Sequence, residues 1–222
     1  MLRSPTCVRK FGTAVLAAAS LAALAACSDG TGARMGKVSI LLTDAPGDIK
    51  KAVVTISQIY LAGSGGNSAD DAAGRVVLRS EPVTTDLLTL AGTTSELVKD
   101  AVIPAATYGQ LRFVVTGAYI EVDDGNGGTK IYASSPTYGG LPAGAQVDGT
   151  LQMPSYASSG LKVTLPGDAV SVSEGQTSLL VDFDVAQSFG HPSGDLTKWV
   201  LSPVINGHEI AGETAPTARV TR

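Results

Sequence analysis

The chain has 222 residues, of which 44% are hydrophobic and 16% are charged. This composition is sufficient for the core of one large domain or two small ones, and it excludes a disordered chain. The excess of 20 Asp and Glu over 16 Lys and Arg disfavours nucleic acid as a partner. Abundant small and β-branched residues favour short strands and turns over long amphipathic helices.

Residues 1–26 have the organisation of a secretory signal peptide. A start containing Arg3, Arg9 and Lys10 precedes an apolar segment from Phe11 to Ala26. A membrane-spanning helix needs about 20 apolar residues, whereas this segment is shorter, rich in alanine and interrupted by small polar residues. We therefore predict that it is removed after export.

The residues "LAAC" at 24–27 resemble the lipobox of bacterial lipoproteins. That resemblance implies cleavage between Ala26 and Cys27 and acylation of the Cys27 sulfur and of the new amino terminus. The alternative is an ordinary signal peptide that happens to contain a cysteine. Cys7 is the only other cysteine and lies in the removed part, so the mature chain is predicted to have no disulfide.

Residues 27–36 are predicted to be the lipidated cysteine and a flexible tether, with "SDGTGARMG" spanning about 15–18 Å as a random coil. By resemblance to lipoproteins of two-membrane bacteria, Ser28 instead of aspartate after the cysteine favours the outer membrane. Cleavage removes three cations and leaves 13 Lys and Arg against 20 Asp and Glu, a net charge of −7. No basic patch for anionic lipid is expected, so attachment would be through the anchor only.

Residues 37–211 read as short strands separated by turns, which predicts an all-β, two-sheet sandwich with at most one short helix. In "KAVVTISQIYLAG", residues 51–63, the alternation places Val54, Ile56 and Gln58 on one face. The segment "SELVKDAV" at 95–102 could form one or two helical turns. The sequence from 108 to 133 predicts a long hairpin, and residues 212–222 are predicted to be a frayed tail.

Two pairs of acidic residues are candidate sites. Asp182 and Asp184 in "VDFDV" would lie on one face of a strand and could bind a cation or act in general acid catalysis. The alternative is a half-exposed strand face whose other side is core. Asp123 and Asp124 in "EVDDGNGG" faintly resemble a calcium loop, but a hairpin turn is favoured because the EF-hand ligand spacing is absent.

Other polar and aromatic residues give weaker signals. His191, Ser193 and Asp195 could compose a catalytic triad, but their closeness within one turn-rich loop favours a loop role. No zinc, nucleotide or redox motif is present, so no cofactor is predicted. Trp199 is expected in the core, and three tyrosines could form an exposed platform for glycans or peptides: Tyr132, Tyr138 and Tyr156.

Six segments in order resemble bacterial lipoproteins carrying domain of unknown function 4382. They are "LLTDAP" at 41–46, "DLLTL" at 86–90, "IPAATYGQLRF" at 103–113, "MPSYASSGLKV" at 153–163, "LLVDFDVAQS" at 179–188 and "WVLSPVI" at 199–205. Ala106 stands where that family usually has glycine. The resemblance implies a single sandwich domain of immunoglobulin or transthyretin type on a lipid anchor, with no established catalytic residues.

These observations predict a non-enzymatic, lipid-anchored envelope protein that binds or scaffolds another envelope protein or a glycan. One alternative is a glycan hydrolase using Asp182, Asp184 or Glu121, which requires the three acids to converge in a pocket. Another is a structural subunit that assembles by strand exchange, which requires an exposed groove or a detachable terminal strand.

Overall fold

The computed structural model describes residues 34–45, 49–63, 74–154, 156–190 and 197–210. The chain divides into the units 1–33 and Arg34–Arg222, and every described residue belongs to the second. The described strands are β1 (Met35–Ala45), β2 (Ile49–Gly63), β3 (Arg75–Arg79), β4 (Val83–Asp86), β5 (Ser95–Pro104), β6 (Ala106–Asp123), β7 (Thr129–Ala133), β8 (Gly149–Gln152), β9 (Leu161–Val163), β10 (Val170–Val172), β11 (Gln176–Asp184), β12 (Phe189–Gly190), β13 (Lys198–Leu201) and β14 (Val204–Ile210). The only described α-helix is the four-residue α1 (Val185–Ser188).

The strands form two sheets, which confirms the predicted all-β sandwich. The four-stranded sheet has the order β14-β11-β1-β5, with β1 and β11 parallel and the other neighbours antiparallel. The ten-stranded sheet runs β12-β13-β8-β7-β6-β2-β3, and β4, β9 and β10 pair with its two long strands. Its centre is the antiparallel pair β2–β6, and β6 and β7 form the predicted hairpin.

The core lies between the two sheets and follows the two-residue period of the strands. Leu179, Val181 and Phe183 of β11 are buried, as are Ile40 and Leu42 of β1, its parallel neighbour. Alternate residues of a strand point to opposite faces, so each of these strands places one apolar row in the core and a more polar row outside. The predicted inward direction of Val181 and Phe183 is confirmed.

Strand β2 departs from the simple alternation that its sequence predicts. The pairing with β6 shifts register between Ile56 and Gln58, where Ser57 has no partner on β6, and this irregularity changes the face on which the next residues of β2 lie. Ile59 and Leu61 therefore join Val54 and Ile56 in the core. Gln58 directly precedes the inward-facing Ile59 and therefore lies on the opposite face, so the prediction that it continues the face of Val54 and Ile56 was wrong.

The predicted helical turns at 95–102 are also wrong, because these residues form β5. Leu97 and Val98 are buried, and the strand pairs antiparallel with β1. Its register shifts near Asp100, which has a φ of 47° and whose N–H donates to Ser39 Oγ at 3.1 Å. Sheet pairing has overridden the local helical preference of a sequence that lacks a strict alternation.

The described domain begins two residues before the predicted boundary at 37. Met35 and Gly36 were predicted as tether but belong to β1. Arg34 O accepts a hydrogen bond from Ala105 N at 2.7 Å. A Cβ on Gly36 would lie 2.0 Å from Ser173 O, so only glycine permits this close approach between backbones.

Candidate functional site

The residues predicted to carry the lipid anchor, Ala26 and Cys27, lie outside the described residues, as do His191, Ser193 and Asp195. The other candidate residues are described. His208 is exposed on β14, the edge strand of the four-stranded sheet. The remaining candidates in the described domain are its acidic residues and its tyrosines.

Asp182 and Asp184 lie on the outer face of the four-stranded sheet, half-buried. Asp182 is level with Thr43 on β1 and Asn206 on β14, which gives a polar row across three strands. Asp184 caps α1, since its carboxylate accepts hydrogen bonds from the backbone N–H and the side-chain amide of Gln187. The pair shares one face as predicted, and Asp184 has a structural role.

Asp123 and Asp124 organise the turn of the β6–β7 hairpin. Asp123 accepts from Gly125 N at 2.8 Å, while Asp124 accepts from Asn126 N and Gly128 N, each at 2.8 Å. These amides lower the pKa of the Asp124 carboxyl. The geometry is that of the favoured hairpin turn, and these acids lie on a different sheet from Asp182 and Asp184.

The described residues contain no group of three or more His, Cys, Asp or Glu side chains that could hold a metal ion. Glu121 is on the ten-stranded sheet, where it pairs with Lys51. It does not converge with Asp182 and Asp184, which belong to the other sheet, so the three acids do not form the pocket that the hydrolase alternative requires.

The three tyrosines do not form an exposed platform, which was the less favoured interpretation of the sequence. Tyr132 is buried against Trp199, with ring centroids 5.8 Å apart at an angle of 55°. Tyr156 packs against the main core and donates to Leu201 O at 3.0 Å. Tyr138 belongs to a separate, smaller cluster on the outer face of the ten-stranded sheet. Trp199 is buried, which confirms its predicted place in the core.

The sequence did not predict the polar cluster around Tyr138. We call it the outer-face cluster, and its members are Lys51, Thr55, Thr84, Tyr119, Glu121 and Tyr138. Tyr138 Oη lies 2.6 Å from Thr55 Oγ1, which in turn lies 2.8 Å from Thr84 Oγ1. Lys51 Nζ lies 3.3 Å from Glu121 Oε1. No local motif encodes this cluster, because strand register brings its members together from distant parts of the chain.

Gly117 makes the packing of Tyr138 possible. A Cβ at this position would lie 2.3 Å from the Tyr138 ring, so a glycine on β6 lets the ring lie directly on the sheet. The ring also faces Tyr119, with centroids 6.3 Å apart. The loop 134–148 is tied down at its end, where Asp148 N donates to Ile131 O at 2.8 Å. The outer-face cluster thus fastens this loop across the sheet.

Two buried and two partly buried tyrosines have phenol groups that resist ionisation. Burial raises the pKa of Tyr108, Tyr119, Tyr138 and Tyr156 above the ordinary value of 10.0. The phenolate of Tyr119 and the carboxylate of Glu121 in turn raise the pKa of Lys51.

We expect the free energy of unfolding to fall as pH rises above 10, because the unfolded chain then loses tyrosine protons that the folded chain retains. Urea denaturation at a series of pH values from 8 to 11.5 measures this slope. The Tyr138→Phe variant should have a shallower slope than the unaltered chain. A free energy of unfolding that stays constant or increases across this range would contradict the assignment.

The surface also carries a polar groove of about 410 Å³ at the end of the sandwich where β10, β11 and β14 meet. Its lining residues are Ser171, Ser173, Gln176, Thr177, Ser178, Glu209 and Ile210. Hydroxyl, amide and carboxylate groups can both donate to and accept from a polar ligand. None of the predicted acidic sites lines this groove.

Strand β14 ends at the groove but is held on both sides. It pairs with β11 along one edge, and on the other edge Thr164 N donates to Ile205 O at 2.9 Å and Gly207 N donates to Thr164 O at 2.8 Å. Ile205 is also buried. These contacts disfavour β14 as a detachable strand.

A family model described as "Domain of unknown function (DUF4382)" matches residues 35–203, well over half of the chain. The chain belongs to the DUF4382 family. The match begins at the first residue of β1 and ends after β13, and it contains the first five resembling segments and most of the sixth. No curated protein and no solved structure matches the chain.

The DUF4382 domain exposes four large hydrophobic side chains among its described residues. Val77 lies on β3 and Ile210 on β14, whereas Met35 and Val102 lie together on β1 and β5. Within the described ranges, no helix has the length and hydropathy that crossing a membrane requires.

Proposed function

We propose that this DUF4382 protein is a lipid-anchored protein of the bacterial cell envelope, acylated on Cys27, whose sandwich domain binds or scaffolds another envelope component. The domain acts as a binding module and catalyses no reaction. Its partner is an envelope protein or a glycan, and the polar groove formed by β10, β11 and β14 is the place where such a ligand would bind.

The observation that carries the proposal is the position of "LAAC" at 24–27. It follows a basic start and an apolar segment, and the first strand begins at Met35, only eight residues after Cys27. An export signal, a cleavage junction and a folded domain thus follow one another without a gap large enough for another domain. Several acyl chains on one cysteine exceed the two signals that firm membrane attachment needs.

The described side chains support a binding role over a catalytic one. The Asp184 carboxylate is occupied by capping α1, and the Asp124 carboxylate by the hairpin amides. The hydroxyl groups of Tyr138 and Tyr156 are engaged in hydrogen bonds within the domain. Polar groups held in this way stabilise local structure and are not available as catalytic groups.

The outer membrane is the proposed location. Ser28 follows the acylated cysteine, whereas an aspartate at that position is typical of lipoproteins retained at the inner membrane. Asp29 lies one residue further along.

The Cys27→Ser variant tests the anchor in cells of a two-membrane bacterium. We expect it to lose incorporation of a fatty-acid label and to keep its signal peptide, because hydroxyl oxygen does not replace the cysteine sulfur in lipoprotein processing. Loss of the label and of cleavage is the readout, because the retained apolar signal peptide would still carry the chain into a detergent phase. Sucrose-gradient separation of the two membranes locates the unaltered protein.

Cys7→Ser is the matched control, because Cys7 is the only other cysteine and lies in the segment predicted to be removed. It should be labelled, cleaved and anchored like the unaltered chain. Globomycin, which blocks cleavage of lipoprotein signals, should cause the precursor of the unaltered chain to accumulate. Equal labelling of the Cys27→Ser and Cys7→Ser variants would refute the anchor.

A further inference from the structure

Two of the four large hydrophobic side chains that are exposed among the described residues lie close together at one corner of the four-stranded sheet. Met35 is 43% exposed and Val102 is 61% exposed. In the antiparallel pair of β1 and β5, Met35 is opposite Pro104 and Lys37 is opposite Val102. We call these four exposed residues the corner patch: Met35, Lys37, Val102 and Pro104.

The register places the members of the corner patch on the same side of the sheet. Residues directly opposite each other in an antiparallel pair project from one face, and so do residues two apart on a strand. Lys37 and Val102 are therefore neighbours, with Met35 and Pro104 one step further along. In the patch, Val102 and Pro104 lie on β5, an edge strand of the sheet, and Met35 lies beside the ammonium group of Lys37 on β1.

Such a surface is costly for a protein that meets only water. Exposed apolar residues on an edge strand favour unwanted pairing with other chains, and proteins usually protect such edges. An apolar group flanked by a lysine is typical of side chains that enter a lipid headgroup region, where the ammonium meets phosphate and the apolar atoms leave water. The chemistry of the corner patch fits the surface of a bilayer.

The length of the chain between Cys27 and Met35 also favours the membrane as the partner of the corner patch. Seven residues, 28–34, separate Cys27 from Met35. Fully extended, this connection spans at most about 28 Å, and as a random coil it spans about 16 Å. A folded domain of this size is about 40 Å across. The connection is too short for the opposite side of the domain to face the membrane, so the end that carries Met35 stays within about 28 Å of the anchor.

We propose that the corner patch contacts the lipid headgroups of the membrane to which the chain is anchored and so fixes the orientation of the domain. This inference rests on the proposed anchor at Cys27. It revises the prediction from net charge that attachment is through the anchor only, because the contact depends on apolar side chains and needs no basic patch. The domain then presents the same surfaces to the periplasm or the exterior in every copy.

The test uses the chain from residue 27 onward, in which Cys27 is the only cysteine. Its thiol is added to the double bond of a maleimide carried by a phospholipid, in phosphatidylcholine vesicles that contain acyl-brominated lipid. Tryptophan is introduced as Val102→Trp or as Val77→Trp. Val77 is the matched control, because it is also an exposed valine, at 45%, on an edge strand, β3 of the other sheet.

Bromine quenches tryptophan only at short range, and the unaltered chain gives the baseline emission of Trp199. We expect the emission added by Val102→Trp to be quenched at least about twofold more than that added by Val77→Trp, because interfacial side chains lie about 5–10 Å into the headgroup boundary. Equal quenching of the two, or quenching of neither, would overturn the proposal.

Amide hydrogen exchange gives a second measurement. It uses the chain without tryptophan substitutions, so a folding defect of a variant cannot affect it. Coupling to vesicles should slow exchange in β5 and leave β3 unchanged. Protection of β5 that increases with protein concentration without vesicles would instead assign the patch to a second copy of the chain and overturn the proposal. Because Cys27 is coupled chemically to the vesicles, these outcomes do not depend on whether Cys27 is acylated in cells. The comparison of Cys27→Ser with Cys7→Ser tests that acylation separately.

Discussion

The Phe183→Ala variant is expected to be less stable than the unaltered chain by about 3–5 kcal/mol, the usual cost of truncating a buried phenylalanine to alanine. Phe183 is only 2% exposed and belongs to the core row of β11. The strand is paired on both sides, by β1 and by β14, so its backbone cannot easily collapse into the space that the ring leaves. Urea denaturation followed by circular dichroism measures the difference.

Asp182→Asn is the matched control, because it changes the neighbouring residue on the opposite face with little change of volume. Substitutions at surface positions away from caps and networks usually alter stability by less than about 0.5 kcal/mol. If Asp182→Asn were as damaging as Phe183→Ala, the assignment of Asp182 to the outer face would be wrong. A small effect at both positions would contradict the burial of Phe183.

The second large effect is expected for Gly36→Ala. The added Cβ would lie 2.0 Å from Ser173 O and 2.6 Å from Val172 Cγ1, so β1 would have to move away from the turn after β10. That turn is held to β1, because Lys37 N donates to Gly175 O at 3.1 Å. Overpacking of this kind costs about 1–3 kcal/mol, and the melting temperature should fall by about 2–12 °C.

Gly63→Ala provides the comparison for Gly36→Ala, since a Cβ at Gly63 would meet no atom within 4 Å. Both glycines lie in strands, at the start of β1 and at the end of β2. Thermal unfolding of the two variants should therefore separate them clearly. Coinciding melting curves would mean that β1 does not approach Ser173 as closely as described.

These two substitutions also bear on the candidate sites. The core row of β11 fixes Asp182 and Asp184 on the outside of the sheet, and the close packing of Gly36 fixes the start of β1 and with it Met35. A chain that tolerated Gly36→Ala without loss would have a less defined corner patch. The stability measurements and the vesicle experiment therefore test the same corner of the domain independently.

Several features are determined by the sequence by itself because they are encoded locally. The two-residue alternation of "VDFDV" placed Val181 and Phe183 in the core, and turn-forming residues between two strand patterns predicted the β6–β7 hairpin. The all-β class and the DUF4382 family likewise depend on local patterns and ordered segments. The lipobox resemblance is of the same kind, since four adjacent residues and their position carry it.

The tertiary structure alone decided the features that depend on which distant strands become neighbours. Pairing with β1 makes a strand of residues 95–104, and bulges against β6 bring Ile59 into the core. Strand register also assembles the outer-face cluster and brings Val102 beside Lys37. Local periodicity contains no information about register between segments far apart in the chain, so the tyrosine positions and the corner patch could not be predicted.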